Sequence, residues 1–413
     1  MKIDLTKFEI PNIDAWKNQV LKEANDNDAL LYKNEIENLN IDISSKHENQ
    51  KTFSSLSAKC DWDIISSFNI GDSFENNELI IKCLEHGSNH IFLDIRINKP
   101  DWDIIFKDIV IEIVHVTVAF HNEEQLNSFK TFLPKENEQY FTICIDPFEL
   151  NYFQEFKDSS VSYCVNGFAL EQIGASTNQQ LASMIYCAER LLQYCKNPNR
   201  VKFKMGIGSD FLIESGKIRA LKWLWQHLLS KNDYMQSQVY IMGSTGWTNK
   251  SLKDPHTNLL RQTTEALAAV SGGVSGLLIH SASELTEAGS TWFDIRMALN
   301  ISHILKEESF LSKVHDPLKG SYVSELLTEQ IIDNSWNLFL ELHDNLAQEN
   351  KAEMSDNIKL IRNQKEQNFK SGKKQLIGIN LFHNKDEQIQ KWEYIPDYLE
   401  MSYLIYETLE ANE

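Results

Sequence analysis

The side chains best suited to chemistry stand at or near the ends of short apolar runs. Asp94 lies at the end of NHIFLDI and Asp146 ends QYFTICID. Either carboxyl can act as an acid or base, and either can equally cap a helix or hold a loop. His115 lies within IVIEIVHVTVAF, and His280 lies near the end of GLLIHSA. An imidazole titrates close to neutrality, so both are candidate general bases; both also suit a satisfied position in a barrel wall or rim. Two glycine-bearing stretches, VNGFALEQIGAS (Val165–Ser176) and IMGSTGWTNK (Ile241–Lys250), read as loops that admit a ligand close to the backbone or simply turn. GIGSD (Gly206–Asp210) joins a strand-like run to a helical one, where free amides can hold a phosphate. It lacks the full dinucleotide fingerprint, and the chain has neither GxxxxGK[ST] nor HExxH. Lys196, Arg200, Lys202 and Lys204 form a basic cluster, expected as a solvated face rather than an anion site.

Such residues converge only if strands deliver them to one face. From about Asp61 onward, strand-like and helical patterns alternate. WDIISSF, NHIFLDI, IVIEIVHVTVAF, QYFTICID, SVSYCV, VKFKMGIG, QVYIMG and GLLIHSA read as strands. Between them lie helical patterns, among them ENNELIIKCLEHG, PDWDIIFKD, NEEQLNSFKTFL, FELNYFQEFK, Thr177–Cys195, Asp210–Leu229 and Pro255–Val270. This alternation predicts parallel strands with right-handed crossovers, and eight units predict a closed (β/α)8 barrel rather than an open sheet. Function is then expected in the loops after Asp94, His115, Asp146, Val165, Ile207, Gly243 and Ser281.

The barrel is expected over residues 56–375. Residues 1–55 form an N-terminal arm in which IDAWKNQVLKEANDNDALLY reads as one amphipathic helix, a candidate partner contact or an intramolecular cap. Helices follow the barrel strands at Thr291–Glu308 and Thr328–Asn345, and the charged stretch Gln348–Lys374 reads as a solvated helix. Residues 376–413 form a C-terminal extension, with QLIGINLF read as strand-like.

The 413 residues carry 40 Lys+Arg against 59 Asp+Glu, a formal charge of −19. That balance argues against a general nucleic-acid or anionic-membrane binder, because phosphate surfaces need a basic footprint. No run has the apolar length of a membrane helix, and the acidic N-terminus gives no secretory signal. The six cysteines are scattered without a Cys-x-x-Cys pair, which predicts reduced thiols in a cytoplasmic protein and no zinc site.

Longer motifs carry a resemblance. KDPHTNLLRQTTEALAAVSGG (Lys253–Gly273) and ILKEESFLSKVHDPLKGSYVSELLTEQI (Ile304–Ile331) resemble the methylmalonyl-CoA mutase family. SDFLIESGKIRALKWLW (Ser209–Trp225), GSTGWTNKS (Gly243–Ser251) and an N-terminal helix with a central Trp16 add to it. The resemblance implies a barrel that threads an acyl-CoA along its axis beside a separate cobalamin-binding module. Adenosylcobalamin then supplies the radical that interconverts (R)-methylmalonyl-CoA and succinyl-CoA.

Set against that pattern, several positions here have lost their chemistry. Active members carry a thioester-binding His six residues before the Trp of the Ser/Thr-Gly-Trp run, and that position is Ile241. Their Ser-Gly-Tyr-His-x-x-Glu-Ala-Gly-Ala run reads Asn166-Gly167-Phe168-Ala169-Leu170-Glu171-Gln172-Ile173-Gly174-Ala175. Tyr, His and Glu have thus become Phe168, Ala169 and Gln172, and a tyrosine that faces the radical falls at Ser57. The cobalt-ligating Asp-x-His-x-x-Gly is not matched: Asp254-Pro255-His256 is followed by Leu259 at the glycine position, and few residues follow QLIGINLF. The resemblance therefore implies the small (beta) subunit of a heterodimeric mutase. It would have no catalytic residue and no cofactor of its own, bind acyl-CoA weakly or not at all, and pair with a large (alpha) subunit that holds adenosylcobalamin. Two other readings stay open: the barrel subunit of a split cobalamin-dependent mutase, and a stand-alone acyl-CoA-binding protein.

Overall fold

The protein is described by a computed structural model covering residues 12–42, 53, 60–71, 73–148, 156–252, 254–285, 289–346, 351–382, 401 and 404–410. It begins with helix α1 (Ile13–Ala24), capped by the Asn12 side chain on the Asp14 amide. The sequence pattern predicts that helix as far as Tyr32, but it stops where Asn25 turns to a φ of 51°. Strands β1 (Leu31–Asn34) and β2 (Leu39–Asp42) form an antiparallel hairpin instead. Long-range contacts decide this: Leu39 and Ile41 are buried, the Asn40 amide donates to Gln330, and Glu37 accepts from the Thr177 amide.

The barrel follows: β3 (Asp63–Ile70), α2 (Ser73–Glu85), β4 (His90–Ile95), α3 (Trp102–Ile105), β5 (His115–Ala119), α4 (Glu123–Phe132), β6 (Phe141–Ile145) and β7 (Ser162–Asn166). It continues with α5 (Gly167–Gln172), α6 (Thr177–Cys195), β8 (Val201–Ile207), α7 (Phe211–Lys231), β9 (Tyr240–Thr245), α8 (Pro255–Gly272) and β10 (Gly276–Leu278). All eight strands pair in parallel and close in the order β10-β3-β4-β5-β6-β7-β8-β9. The fold is the (β/α)8 barrel expected from the alternation.

Around it lie α9 (Trp292–His303), continued by a π-turn over Ile304–Glu308, then α10 (Tyr322–Leu346), α11 (Lys351–Lys370) and α12 (Tyr406–Glu410). The stretch read as a solvated helix is helical, but Met354, Ile358 and Phe369 are buried along one face of it. QLIGINLF is a turn rather than a strand: Gly378 takes a φ of 79°, Ile377 bridges Leu381, and the Asn380 side chain accepts from the Leu376 amide. FELNYFQEFK lies mostly outside the described residues.

A period of two sets both faces of the barrel wall. Ile91, Leu93 and Ile95 on β4, Val116 and Val118 on β5, and Phe203, Met205 and Ile207 on β8 point outward into one core shared with the helices. Their neighbours in sequence point into the bore.

Candidate functional site

The bore is built in layers. At its N-terminal end the His90 ring bonds both the Tyr240 hydroxyl (3.0 Å) and the Thr117 hydroxyl (2.8 Å), and Tyr240 donates to Asp63 at 2.7 Å. Lys202 donates to Thr142 at 2.9 Å. Burial, with Lys202 and His115 nearby, holds the His90 imidazole well below its usual range, so it is neutral at pH 7. Burial and then the Asp63 carboxylate push the Tyr240 phenol well up.

The middle layer is apolar. Ile65, Phe92, Met242 and Leu278 pack together, each at most 5% exposed, with Ala119 and Cys144 against them. Lys204 completes it. Its Nζ lies 3.9 Å from the centre of the Phe92 ring and 4.5 Å from that of Phe168. In the strand order β8 stands opposite β4, so Lys204 and Phe92 meet across the axis. One layer below, His90 on β4 reaches Tyr240 on β9, the strand beside β8 and three places from β4. An eight-stranded barrel is only wide enough for its own side chains, and these two bridges occupy that width. A cavity of about 430 Å³ at the N-terminal end, lined by Asp63, His115, Lys202, Lys222, Tyr240 and Lys306, thus meets bridged layers rather than a channel.

The C-terminal mouth carries a polar network. The Ser244 hydroxyl meets His280 Nε2 at 3.0 Å, and His280 Nδ1 meets Glu284 at 2.7 Å. Phe168 and Trp247 pack on the His280 ring, with centroids at 5.5 and 4.9 Å. Asp94 is held by His121 and Arg96, each at 2.5 Å, and Asn166 donates to Asp146 at 2.7 Å. Burial opposes the Asp94 charge, yet the His121 hydrogen bond and Arg96 outweigh it, so its carboxyl lies below the usual range. The same hydrogen bond raises His121.

The end of the chain covers this mouth. The Leu404 amide donates to the Gln172 carbonyl (2.6 Å), and the Tyr406 amide donates to that of Thr248 (3.1 Å). Glu407 accepts from Ser251 and from the Leu252 amide, and Ile405 packs with Leu252, Leu285 and Trp247.

The structure places the sequence candidates differently from one another. Phe168 and Gln172 meet at the mouth, where Phe168 packs on Trp247 and the Gln172 side chain accepts from the Trp247 amide at 2.9 Å. Ala169 and Ile241 do not join them; both belong to the core between strands and helices. Strand alternation turns Ile241 outward and Met242 inward. Consistently, a Cβ added at Gly243 would strike Val274 and Ala269, whereas Met242 packs in the bore. Ser57 lies outside the described residues. His115 is at the wrong end for a mouth residue, because β5 begins there; residues 111–113 form a 3-10 turn in place of the predicted strand. VNGFALEQIGAS is helix α5 and its exit rather than a loop. At GIGSD the Asp210 side chain already caps the Ile213 amide, so an acid stands where a phosphate was considered.

Of the basic cluster only Lys196 is exposed as expected, and the other three are not on a solvated face. Arg200 donates to the carbonyls of Val161, Lys157 and Phe156, and Lys202 and Lys204 enter the bore. Lys204 is the functional candidate that the sequence reading missed. Its signal was present: in VKFKMG the lysines alternate with Val201, Phe203 and Met205, which are outward core residues.

The family model for methylmalonyl-CoA mutase matches residues 135–402. The chain belongs to the methylmalonyl-CoA mutase family. It is 32% identical to the methylmalonyl-CoA mutase small subunit of Porphyromonas gingivalis over 243 residues, 54% of this chain and 38% of that one. To the probable mitochondrial methylmalonyl-CoA mutase of Caenorhabditis elegans it is 30% identical over 247 residues, 55% of this chain and 32% of that one. The match thus spans about a third of the length of these relatives. A dihydropteroate synthase from Xanthomonas albilineans overlaps 60% of this chain and 93% of its own at 11% identity, but with a TM-score of 0.39 it is too remote to bear on function.

Residues 404–410 lie over the mouth, and Asp254-Pro255-His256 sits elsewhere, where Asp254 caps the Thr257 amide at the start of α8. Among the described residues no group of three or more His, Cys, Asp or Glu is placed to hold a metal ion, and no helix is long and apolar enough to cross a membrane.

Proposed function

We propose that the chain is the small, non-catalytic subunit of a heterodimeric methylmalonyl-CoA mutase, acting in the cytoplasm. Its large partner would bind adenosylcobalamin and interconvert (R)-methylmalonyl-CoA and succinyl-CoA. The observation that carries this reading is the doubly bridged bore: Tyr240 on His90 and Lys204 on Phe92 occupy the axis along which an acyl-CoA would run. The altered positions Phe168 and Gln172 add to it, since one no longer offers a hydroxyl and the other, as an amide, is spent on the Trp247 backbone. The likeness to a small subunit points the same way.

The arm supplies a partner contact. α1 buries none of its residues, and Trp16 is 48% exposed although it lies with Ile13 and Val20 on one apolar stripe. A 12-residue helix is marginal in isolation, so burial of that stripe by another subunit would stabilise it.

Co-expression with the large subunit tests the proposal. The pair should purify as a stoichiometric complex and turn over with adenosylcobalamin, and the small chain alone should be inactive. Turnover by this chain with only a free cobalamin-binding protein added would instead establish the split-mutase reading. A stable monomer with micromolar CoA affinity would establish the stand-alone binding protein.

A further inference from the structure

A cavity of about 480 Å³ lies beside the bridged bore at the C-terminal face, a volume in the range of small-molecule sites. α5 lends it Glu171, α7 lends Glu214, α11 lends Lys365, the turn after α11 lends Lys374, and the end of the chain lends Tyr406. It opens to solvent, since Glu35 and Lys373 at its rim are exposed.

Its charges are sorted by depth. Glu171 and Glu214 are each 8% exposed, and a Cβ added at Gly208 would lie 3.1 Å from a Glu214 carboxylate oxygen and 3.8 Å from one of Glu171. Two carboxyls therefore converge, with one ammonium, Lys217, held against Glu214 at 2.6 Å. Glu171 accepts only from neutral donors among the described residues, the Thr248 hydroxyl and the Gln172 amide. Lys365 and Lys374 are less deeply buried and donate to neutral oxygens, the Ala175 carbonyl and the Ser209 hydroxyl. The other buried acids on the wall are engaged: Asp210 accepts from Tyr32 and the Ile213 amide, and Glu37 from the Thr177 amide. Tyr406 is 7% exposed, yet its hydroxyl has no hydrogen-bond partner among the described residues. Buried hydroxyls are seldom left unbonded, so this one points to a ligand.

We propose that this cavity binds a small zwitterion of the amino-acid class, its ammonium held at Glu171 and Glu214 and its carboxylate at Lys365 and Lys374. A buried charge needs an opposite charge beside it. The floor carries one negative charge in excess, and the two lysines above it lack a carboxylate, so a ligand with both charges completes both. Burial pushes both floor carboxyls up, Glu214 to about 7 against the pull of Lys217, and an arriving ammonium favours their ionised forms. The site lies outside the bore and is independent of the subunit assignment.

The test is equilibrium dialysis of the intact chain against an equimolar mixture of the common amino acids, with bound ligand read by mass spectrometry. At least one should be held with a Kd below about 1 mM. Its N-acetyl and methyl ester forms should bind at least about 10-fold more weakly, since each lacks one of the two charges. Tyr406→Phe should weaken binding about 10-fold and leave melting unchanged, because the hydroxyl has no bond within the described chain to lose. Lys374→Ala should weaken binding by about the same factor. No amino acid held below about 1 mM, an N-acetyl form held as tightly as its parent, or undiminished binding by Tyr406→Phe and Lys374→Ala each overturns the proposal.

Discussion

Phe92→Ala probes the bridged bore most directly. Threading an acyl chain past the wild-type bridges would displace Phe92 from a site where it is 5% exposed, costing roughly 1.5–3 kcal/mol of burial. Its contact with Lys204 contributes about 0.5–2 kcal/mol more. Parting Tyr240 from His90 adds about 1–3 kcal/mol, because both groups are then buried without each other. The sum is about 3–8 kcal/mol, and each 1.4 kcal/mol is about tenfold, so an otherwise micromolar acyl-CoA would bind at least about 100-fold more weakly. Phe92→Ala removes the first two contributions and leaves the third. It should destabilise the fold by about 3–5 kcal/mol, since a large ring leaves a packed layer that relaxes only in part. Denaturant titration followed by tryptophan fluorescence reads the stability, and calorimetry with acetyl-CoA reads the binding. Phe92→Ala should bind still too weakly to saturate, and a double variant that also replaces Tyr240 by Ala should bind more tightly than either single variant. Two results would refute the reasoning: a loss of stability below about 1 kcal/mol for Phe92→Ala, or saturable micromolar binding by the wild-type chain.

Three further outcomes are expected. The raised His121 favours the folded state below its unfolded pKa of about 6.5 and is lost as pH rises through the folded value, while the depressed Asp94 contributes above about pH 4 and is lost below it. Asp94→Asn should therefore destabilise most between about pH 4 and 6.5 and lower the His121 titration midpoint seen by NMR; an unmoved midpoint contradicts the pairing. Arg219 is bonded to Asp316, Glu325, Thr328 and the carbonyls of Ser324 and Phe53, so Arg219→Met should cost about 3–5 kcal/mol by leaving two acids without it, read as a lowered melting temperature. Trp16→Ala should leave melting of the free chain unchanged, because the Trp16 side chain is exposed, and weaken association with the large subunit by about 30-fold in a binding titration.

The barrel was legible because its outward residues repeat with a period of two and helical patterns separate the runs. Val116 and Val118, or Ile143 and Ile145, read as strand whatever lies between them. The hairpin was not legible: β1 and β2 have four residues each, and β2 is held by Gln330, far away in sequence. The mouth was legible in part. Strand-end residues such as Asp94 and His280 do reach it, but their partners come from loops that no periodicity marks, His121 from the one after the neighbouring strand β5 and Glu284 from the turn after His280 itself. The contents of the bore were readable in principle, since the pattern that sends Phe203 and Met205 outward sends Lys202 and Lys204 inward. A run of basic residues hides that by resembling a solvated face.

Ile241 shows why facing matters more than spacing. Counting back from Trp247 places it where an active mutase would carry an imidazole, yet β9 turns it into the helix-packed core. Ile241→His would therefore bury a polar ring in an apolar layer at a cost of about 1–3 kcal/mol, without putting any donor in the bore. Met242→His does put one there, between Ile65, Phe92 and Leu278. Even so, the Tyr240–His90 bridge remains below it and the 404–410 segment above it. Neither variant should turn over acyl-CoA. The proposed inactivity is a property of how several side chains fill one axis, so no single imidazole reverses it.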